Sequence, residues 1–398
     1  MSRPERTKVF LAFLATLLWA AGASADSMDS FARVCLATSR GFPLYPLGRA
    51  EPPRACVPDW PPARVLGTEV PPGSKVELFL RSSESFAGSS VRVPVVTVRG
   101  WHPGPTLCLT AGIHGDELNG IEVVRKFAEE LEPEHLAGMV LAVPIVNLHG
   151  FQRSSRYLPD RRDLNRYFPG HPLGSSASRI AHALFEGVVR HCDALVDFHS
   201  GSFHRTNLPQ IRADLRHAAV RRLARGFGCP IVLHNVGREG TLRRAATERG
   251  IPAIVYEAGE PMRFQREEID RGVEGVRRLL GWLGMTDFGG SWSPEPRFYP
   301  ESHWVRVDMG GILVAEAELG DTVESGTVLG VVTDPIRKER SVVVSPYDGT
   351  VIGMTLAPVV IPGYAAFHIG VPDGVVPETA PGAFGSDVGS EGEEERPE

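Results

Sequence analysis

A histidine and a carboxylate three residues apart, His114 and Glu117, stand in the segment Gly-Ile-His-Gly-Asp-Glu at residues 112–117. The apolar run at residues 106–111 predicts a buried strand before them. A helix is predicted after them, because apolar residues recur at helical spacing at Ile121, Val124, Phe127, Ala128 and Leu131. The pair therefore lies in a strand-to-helix turn. In open α/β sheets ligand sites collect at the carboxyl ends of strands, although an ordinary surface turn is the alternative for this pair alone.

Two further strand ends carry complementary side chains. The apolar run 194–198 ends at His199, and the run 252–256 ends at Glu257. Catalytic zinc typically takes three protein ligands of the His₂Glu kind, which His114, Glu117 and His199 supply. Glu257 is then a carboxylate that can accept the proton of an activated water. A buried core histidine and a salt-bridged acid are the alternatives, but three strand ends with matching chemistry favour a metal-dependent hydrolase.

Four motifs in order resemble those of the succinylglutamate desuccinylase/aspartoacylase family. They are His-Gly-Asp-Glu at 114–117, Asp-Leu-Asn-Arg-Tyr-Phe-Pro-Gly at 163–170, Asp-Phe-His at 197–199 and Tyr-Glu-Ala-Gly at 256–259. The resemblance extends from about residue 106 to residue 370. It implies a fold of the zinc-carboxypeptidase type, zinc ligation by His114, Glu117 and His199, and Glu257 as the general base.

The resemblance also implies roles for residues of the arginine-rich segment. Asn165 and Arg166 match the family's substrate-binding pair, and Arg156 matches the arginine that polarises the scissile carbonyl. The segment 156–163 is longer than the usual spacing, so three other arginines remain close alternatives for that role: Arg153, Arg161 and Arg162. A solvated loop is the alternative for the whole segment.

Arginine chemistry agrees with these roles. A donor aimed at a developing oxyanion stabilises the transition state by about 3 kcal/mol. The planar fork of Arg166 matches a substrate carboxylate in a two-pronged pair. Arg243 or Arg244, upstream of Glu257, is expected to hold a second acidic group, with Arg244 as the candidate.

The amino terminus predicts export. Arg3, Arg6 and Lys8 precede an apolar run at residues 9–21, and Ala-Ser-Ala at 23–25 offers a small-x-small cleavage site. Residues 1–25 are therefore interpreted as a signal peptide. The apolar run is too short for a bilayer-spanning helix of roughly 20 residues, so we expect a soluble periplasmic or secreted protein that does not insert into the membrane. Cytoplasmic relatives serve amino-acid catabolism, so export argues for a different substrate.

Export makes the cysteines informative. Cys35 and Cys56 lie in a Pro-rich extension, residues 26–72, with few means of burying a core, so a disulfide between them is expected. Cys108 lies inside the first predicted strand and is expected to be a buried thiol. Cys192 and Cys229 each lead into a predicted strand and could pair if those strands are neighbours.

The rest of the chain divides into predicted segments. A catalytic domain at 73–290 alternates strand-like and helical runs, which predicts an α/β fold with a mainly parallel, helix-covered sheet. A linker at 291–301 precedes a small β domain at 302–373, and an acidic tail at 374–398 is expected to be disordered. The net charge of −6 gives no sign of nucleic-acid binding.

The predicted C-terminal β domain carries Leu-Gly-Asp-Thr-Val-Glu-Ser-Gly at 319–326, which resembles biotinyl/lipoyl-type barrel-sandwich domains. A carrier function is not expected, because no lysine occupies the exposed turn and Lys338 lies among arginines. We expect this domain to shape or shield the mouth of the active site instead.

Together these observations predict an exported amidohydrolase with one zinc ion per chain. Its substrate is expected to be an N-acyl amino acid or short peptide with a free carboxylate, cleaved by metal-activated water. A carboxypeptidase acting on short or cell-wall-derived peptides is the second hypothesis. A zinc-containing binding protein is the third, and Glu257 argues against it, because recognition alone needs no base beside the metal. The oligomeric state is not indicated by the sequence.

Overall fold

A computed structural model describes residues 60, 63–84, 90–287, 295–372, 374 and 376. The predicted signal peptide, the Cys35–Cys56 pair and nearly all of the predicted tail lie outside these residues. The described strands are β1 Ala63–Val65, β2 Thr68–Val70, β3 Ser74–Glu84, β4 Ser90–Arg99, β5 His102–Ala111, β6 Ala137–Val143, β7 Ala194–His199, β8 Arg205–Ala213, β9 Ile231–His234, β10 Ala253–Gly259, β11 Arg297–Tyr299, β12 Glu301–Arg306, β13 Gly311–Ala315, β14 Thr322–Val323, β15 Val328–Thr333, β16 Arg340–Val344, β17 Gly349–Thr355, β18 Val359–Val360 and β19 Ala365–Val371.

The main sheet has thirteen strands among the described residues, and its principal order is β12-β19-β17-β8-β10-β7-β5-β6-β4-β3. Four central strands, β10, β7, β5 and β6, run parallel. The strands on either side of them, β8 and β4, pair with their inner neighbours in the antiparallel sense. The prediction of a mainly parallel sheet is therefore wrong, and the sheet is mixed. The alternating pattern was correct for the central strands and for β9, which pairs with β8 in parallel, whereas β3, β4 and the C-terminal strands join in the antiparallel sense.

Six helices are described: α1 Leu118–Glu130, α2 Leu148–Gln152, α3 Ser176–Gly187, α4 Ala218–Phe227, α5 Leu242–Glu248 and α6 Arg266–Trp282. Helices α1, α4 and α6 share one core with the sheet, and α3 and α5 share a second core on its opposite face. The predicted apolar face of α1 is confirmed, because Ile121, Val124 and Phe127 are all buried. No described helix is long and apolar enough to cross a membrane.

The last part of the predicted N-terminal extension is a folded hairpin. Strands β1 and β2 pair in the antiparallel sense, and Val65 and Val70 are buried in the core that α3 covers. The predicted linker also contains structure, because β11 pairs with β9 in parallel and so extends the main sheet. Both segments therefore contribute to the body around the catalytic sheet.

The C-terminal region is antiparallel and β-rich, as the predicted loss of helical period indicated. Its strands form a four-stranded sheet, ordered β16-β15-β13-β18, and share a core with β12, β17 and β19. Strand β17 also pairs with β8, with Gly353 opposite Asn207. The C-terminal region is therefore joined to the catalytic sheet by continuous strand pairing.

The described cysteines differ from the predictions. Cys108 in β5 is disulfide-bonded to Cys192, and their Cα atoms are 5.8 Å apart. Cys229 is a buried free thiol. Both the predicted thiol at Cys108 and the possible Cys192–Cys229 pair are therefore wrong. The physical reason is that β5 and β7 are adjacent, with Cys108 opposite Leu195, so the turn entering β7 approaches β5.

Candidate active site

The predicted metal ligands and base meet at one edge of the sheet. Strand β5 ends shortly before His114, and β7 ends at His199. Strand β10 lies beside β7 and places Glu257 directly opposite His199 in the parallel register. Because these strands run in the same direction, their carboxyl ends bring the three motifs to a common point, as expected of open α/β sheets.

The turn that carries His114 and Glu117 is closely packed against the start of α2. Asn147 caps this helix by accepting a hydrogen bond from the Gly150 N–H, and its amide nitrogen donates to the Ile113 carbonyl. A Cβ atom on Gly115 would lie 2.0 Å from the Gly150 carbonyl carbon. A glycine is therefore required here, because any side chain would push the turn away from α2.

His114, Glu117 and His199 form the one cluster of potential metal ligands found among the described residues, and their ligand atoms lie within 4.8 Å of one another. Glu117 Oε1 is 2.8 Å from His114 Nδ1, and Glu117 Oε2 is 2.7 Å from His199 Nδ1. The two Nδ1 atoms are 3.2 Å apart. Neutral imidazole nitrogens and carboxylate oxygens that converge in this way all present lone pairs, so the arrangement requires a shared proton or a cation.

Each histidine is oriented by an aspartate on the far side of its ring. His114 Nε2 lies 3.1 Å from Asp163 Oδ1, and His199 Nε2 lies 2.8 Å from Asp197 Oδ2. These carboxylates hold the protons on Nε2 and leave Nδ1 of each ring facing Glu117. Carboxylate–histidine pairs of this kind are typical of metal sites, because they fix the ring and raise its basicity.

Sequence reasoning gave no role to these two aspartates. Asp163 was noted as the start of a motif, and Asp197 was counted within an apolar strand. A signal was nevertheless present at Asp197, because a charged residue two positions before a candidate ligand lies on the same face of the strand. Thr110 completes this arrangement, since its hydroxyl donates to Asp197 Oδ1 at 2.7 Å.

The cluster is buried, and its charges perturb one another. Burial alone would raise the pKa of Glu117, but His114 and His199 more than offset this and hold it well below the usual range. Burial would lower the pKa of His199, yet Asp197 and Glu117 raise it well above its ordinary value. The carboxylates therefore favour positive charge in this region, which is the electrostatic property that a cation site needs.

Arg156 is the arginine that reaches this cluster. Its Nη1 lies 3.1 Å from Glu117 Oε1, its Nη2 donates to Asp163 Oδ2 at 2.9 Å, and its guanidinium lies over the Phe203 ring. The three alternative arginines are exposed, and one of them, Arg162, instead pairs with Asp160. The geometry therefore favours Arg156 among the four candidates.

Asn165 and Arg166 lie in a short 3₁₀ turn next to the cluster. Asp163 caps this turn by accepting a hydrogen bond from the Asn165 N–H. Asn165 Oδ1 accepts from the Leu242 N–H at the start of α5, so this side chain joins two loops. Arg166 is partly exposed and donates to the Asn165 carbonyl at 2.8 Å, with Nη2 3.9 Å from Asp163 Oδ2. Its exposure leaves the guanidinium accessible to a ligand.

The two arginines of α5 are engaged elsewhere in the fold. Arg244 bonds Glu248 and the Gly237 carbonyl. Arg243 is buried and bonds both the side chain and the carbonyl oxygen of Asn235. The contacts described for Arg244 do not include the ligand cluster, and its predicted role in binding a second acidic group remains a prediction.

Glu257 has two polar neighbours from β8 that sequence reasoning did not identify. The Asn207 amide donates to Glu257 Oε2 at 2.9 Å, and Arg212 Nη1 lies 3.6 Å from Oε1. Neither residue lies in a motif with recognisable spacing. Only the antiparallel pairing of β8 with β10 brings them together.

This fold and site define a mixed α/β protein with a His-Glu-His ligand cluster and a carboxylate beside it. Residues 103–283 match the model described as the succinylglutamate desuccinylase/aspartoacylase catalytic domain. The match identifies this part of the chain as a catalytic domain of that family, as its motifs predicted.

Relatives with described activities or solved structures agree with this assignment. The chain is 29% identical over 268 residues to the N-alpha-acetyl-L-2,4-diaminobutyric acid deacetylase of Halomonas elongata, covering 64% of this chain and 78% of that protein. It resembles a succinylglutamate desuccinylase/aspartoacylase from Rhodobacter sphaeroides with a TM-score of 0.69 and 25% identity, over 76% of this chain and 96% of that one.

A second solved structure is the product-bound ectoine utilization protein EutE (DoeB) from Ruegeria pomeroyi. Its TM-score is 0.68 and its identity 25%, over 75% of this chain and 95% of that one. The agreement covers the mixed sheet together with the antiparallel C-terminal region. The Halomonas elongata relative is named as a deacetylase of an acetylated diamino acid, and the Rhodobacter sphaeroides structure as a desuccinylase/aspartoacylase.

Proposed function

We propose that this protein is a zinc-dependent deacylase that hydrolyses the amide of an N-acyl amino acid bearing a free carboxylate. The observation that carries the proposal is the convergence of His114, Glu117 and His199 beside Glu257 in adjacent parallel strands. The related deacetylase of Halomonas elongata supports the choice of an acylated amino acid as substrate.

The donor set fits zinc. Two imidazole Nδ1 atoms and a carboxylate present lone pairs to one point, and three protein ligands of this kind are typical of catalytic zinc sites. A bound zinc ion would supply Lewis-acid polarisation of the amide carbonyl and would lower the pKa of water to about 7. Asp163 and Asp197 would hold the two histidines in the ligating tautomer.

The remaining residues of the site divide the other tasks. Glu257 accepts the proton of the attacking water and passes it to the leaving amine. Arg156 donates hydrogen bonds toward the oxygen on which negative charge develops, which stabilises the transition state by about 3 kcal/mol. Arg166, which is partly exposed, pairs with the substrate carboxylate, and Asn165 fixes the turn that carries it.

Hydrolysis of matched substrates tests this function. Purified protein is assayed with N-acetyl and N-succinyl amino acids, with their carboxyl-amidated forms and with short peptides, before and after chelation and zinc addition. We expect deacylation that chelator abolishes and zinc restores. We also expect about a hundredfold lower kcat/KM for the amidated forms, because Arg166 loses its charged partner once bound substrate has displaced the surrounding water. Equal turnover of free and amidated forms would contradict the carboxylate contact. Preference for peptides would favour a carboxypeptidase, and zinc binding without turnover would favour a binding protein.

We also propose that the protein is exported to the periplasm or the medium. The support is the N-terminal pattern of basic residues, apolar run and Ala-Ser-Ala, together with the Cys108–Cys192 disulfide, since disulfides persist in oxidising compartments. Cell fractionation with N-terminal sequencing tests this. A mature protein that begins at Asp26 is expected in the exported fraction, and a cytoplasmic protein that retains residues 1–25 would contradict it.

A further inference from the structure

An exposed apolar surface covers one side of the four-stranded C-terminal sheet. We define the outer face as the apolar residues Ile312, Val314, Val328, Val331, Val342, Val344, Val359 and Ile361. Most are well exposed, for example Val314 at 61%, Val342 at 55% and Val359 at 67%. Contiguous apolar patches of this kind are uncommon on monomeric soluble proteins and mark interaction sites.

The register shows that these residues are contiguous. Val342, Val331 and Val314 lie opposite one another across β16, β15 and β13. Ile312 lies opposite Val359 across β13 and β18. Directly opposed side chains on one face of an antiparallel sheet are in reach of each other. The outer face therefore forms one surface that spans all four strands.

The sequence of these strands also indicates a covering layer. The inner face already packs Leu313, Val332 and Val343 into the C-terminal core. A sheet with one solvated face shows alternation of apolar and polar residues, whereas near-continuous apolar runs occur in strands buried on both faces. Strand β13 reads Gly-Ile-Leu-Val-Ala and β16 reads Arg-Ser-Val-Val-Val. These strands have the composition of a sheet covered on both sides.

We propose that the outer face is a dimer interface and that its occupant is the same face of a second copy of this chain. The charges at its two ends support this choice. Arg340 is the first residue of β16 and lies opposite Thr333, the last residue of β15. Glu316 directly follows β13 and lies at the opposite end of the sheet. Both side chains are exposed. When two copies meet through their outer faces, with the twofold axis lying between them, Arg340 of each copy is set against Glu316 of the other copy. Isologous contacts of this kind are the commonest in homodimers.

Light scattering and sedimentation of the mature full-length protein test the interface. Wild-type protein is expected to be a dimer, and Val314→Asp is expected to be monomeric, because burying an unpaired carboxylate in an apolar contact is costly. Ile336→Asp is the matched control. Ile336 is an exposed apolar residue in the turn between β15 and β16, outside the outer face, and its variant should remain a dimer.

Charge reversal distinguishes a second copy from any other partner. Glu316→Arg and Arg340→Glu should each raise the dimer dissociation constant about tenfold, and the two together should return it close to the wild-type value, because both symmetric pairs re-form. A wild-type monomer would overturn the proposal. A double variant no tighter than the single variants would overturn the twofold arrangement and indicate a different protein as occupant.

A second inference concerns the residues that hold the Glu257 carboxylate in place, and it rests on the proposed function. Asn207 is buried, and its amide nitrogen donates to Glu257 Oε2. Its Oδ1 faces Gly353 of β17, where a Cβ atom would lie only 2.9 Å away. The C-terminal region therefore confines the side chain that holds the base.

We propose that Asn207 is a positioning residue and that Gly353 fixes its side chain. The amide holds one carboxylate oxygen of Glu257, which restricts the rotation of the carboxylate and aims it toward the ligand cluster. A carboxylate held in its productive orientation loses less freedom on reaching the transition state, so this effect belongs to kcat. Strand β17 thereby contributes to catalysis without contacting substrate.

A double-mutant cycle tests this coupling. Asn207→Ala is expected to lower kcat about tenfold with little change in KM and full metal content. Gly353→Ala should have a similar effect, since its methyl group displaces the Asn207 amide, but should add nothing in the Asn207→Ala background. Thr206→Ala is the control, because Thr206 neighbours Asn207 on β8 and its strand partner is Met354.

The outcomes separate the inference from the function on which it rests. A wild-type protein without deacylase activity would contradict the proposed function. An active wild type whose turnover Asn207→Ala leaves unchanged would overturn the positioning role. If the reductions in kcat caused by Gly353→Ala and Asn207→Ala multiply in the double variant, the two changes act independently and the residues are not coupled.

Discussion

Two regions of this molecule depart from the usual distribution of side chains in opposite senses. At the carboxyl ends of β5, β7 and β10, charged and ionisable groups are buried, among them Glu117 and His199. On the outer face of the C-terminal sheet, apolar groups such as Val314 and Val359 are exposed. Each arrangement opposes folding when taken alone, since buried charges and exposed apolar surface both cost free energy.

The difference lies in what would compensate each region. The buried charges are compensated from within the chain, because histidines, aspartates and Arg156 pair with one another around the ligand cluster. A bound cation would complete the compensation. Among the described residues nothing compensates the exposed apolar face in this way, because its strands already use their other side for the core. Departures of this kind mark functional sites, and here one indicates a ligand and the other a macromolecular partner.

Removing a ligand from the buried cluster should have the largest effect. His114→Ala, Glu117→Ala and His199→Ala should each strip the zinc and abolish turnover, because catalytic sites of this type hold the ion with only three protein ligands. Elemental analysis and activity measure this. His135→Ala, which changes an exposed histidine, is the control and should keep both. Full zinc in all three ligand variants would contradict the assignment.

Replacing the base should separate chemistry from metal binding. Glu257→Gln is nearly isosteric and can still bond Asn207, but it cannot accept a proton. We expect retained zinc and a kcat lower by about a hundredfold or more, within the range that general-base catalysis contributes. Glu248→Gln, on the exposed side of α5, is the control. Near-wild-type turnover by Glu257→Gln would show that another group is the base.

Much of the buried site could be predicted, because its residues follow strands. His199 and Glu257 each end an apolar run and His114 follows one, and parallel strands bring such ends to the same edge of the sheet whatever the strand order. The Cys108–Cys192 pair could not be predicted, since it depends on β5 and β7 being neighbours. Asn207 and Arg212 depend on β8 joining β10 in the antiparallel sense, which no local pattern specifies.

The outer face was missed for a different physical reason. The predicted β domain was correct in kind, and β13 and β16 each bury one residue of their apolar runs, Leu313 and Val343. An apolar run does not say which of its two faces meets the core. Only the register and the exposure of these side chains show that the part of the chain described by the structure leaves the second face uncovered.

The aspartates behind the histidines should have an intermediate effect. Asp197→Asn keeps the shape of the side chain but weakens the hold on the His199 Nε2 proton, so zinc affinity should fall about 10- to 100-fold. Competition with a chelator measures the dissociation constant. Asp193→Asn is the control, because Asp193 bonds the Thr106 N–H and lies before β7. An unchanged zinc affinity in Asp197→Asn would mean that the buried charges are compensated without this carboxylate.

The smallest effect should come from two adjacent valines that face opposite sides of the C-terminal sheet. Val343 is 5% exposed and packs in the core, whereas Val342 is 55% exposed on the outer face. In the Glu316→Arg background, which disfavours the second copy, Val343→Ala should lower the free energy of unfolding by about 1–2 kcal/mol. Val342→Ala should there change it by less than about 0.5 kcal/mol. Without the Glu316→Arg change, Val342→Ala should lower the free energy of unfolding by an amount that grows with protein concentration, since association stabilises the folded chain. Urea unfolding at several protein concentrations measures both quantities. A cost for Val342→Ala that is the same in both backgrounds would show that the outer face is covered by the chain itself.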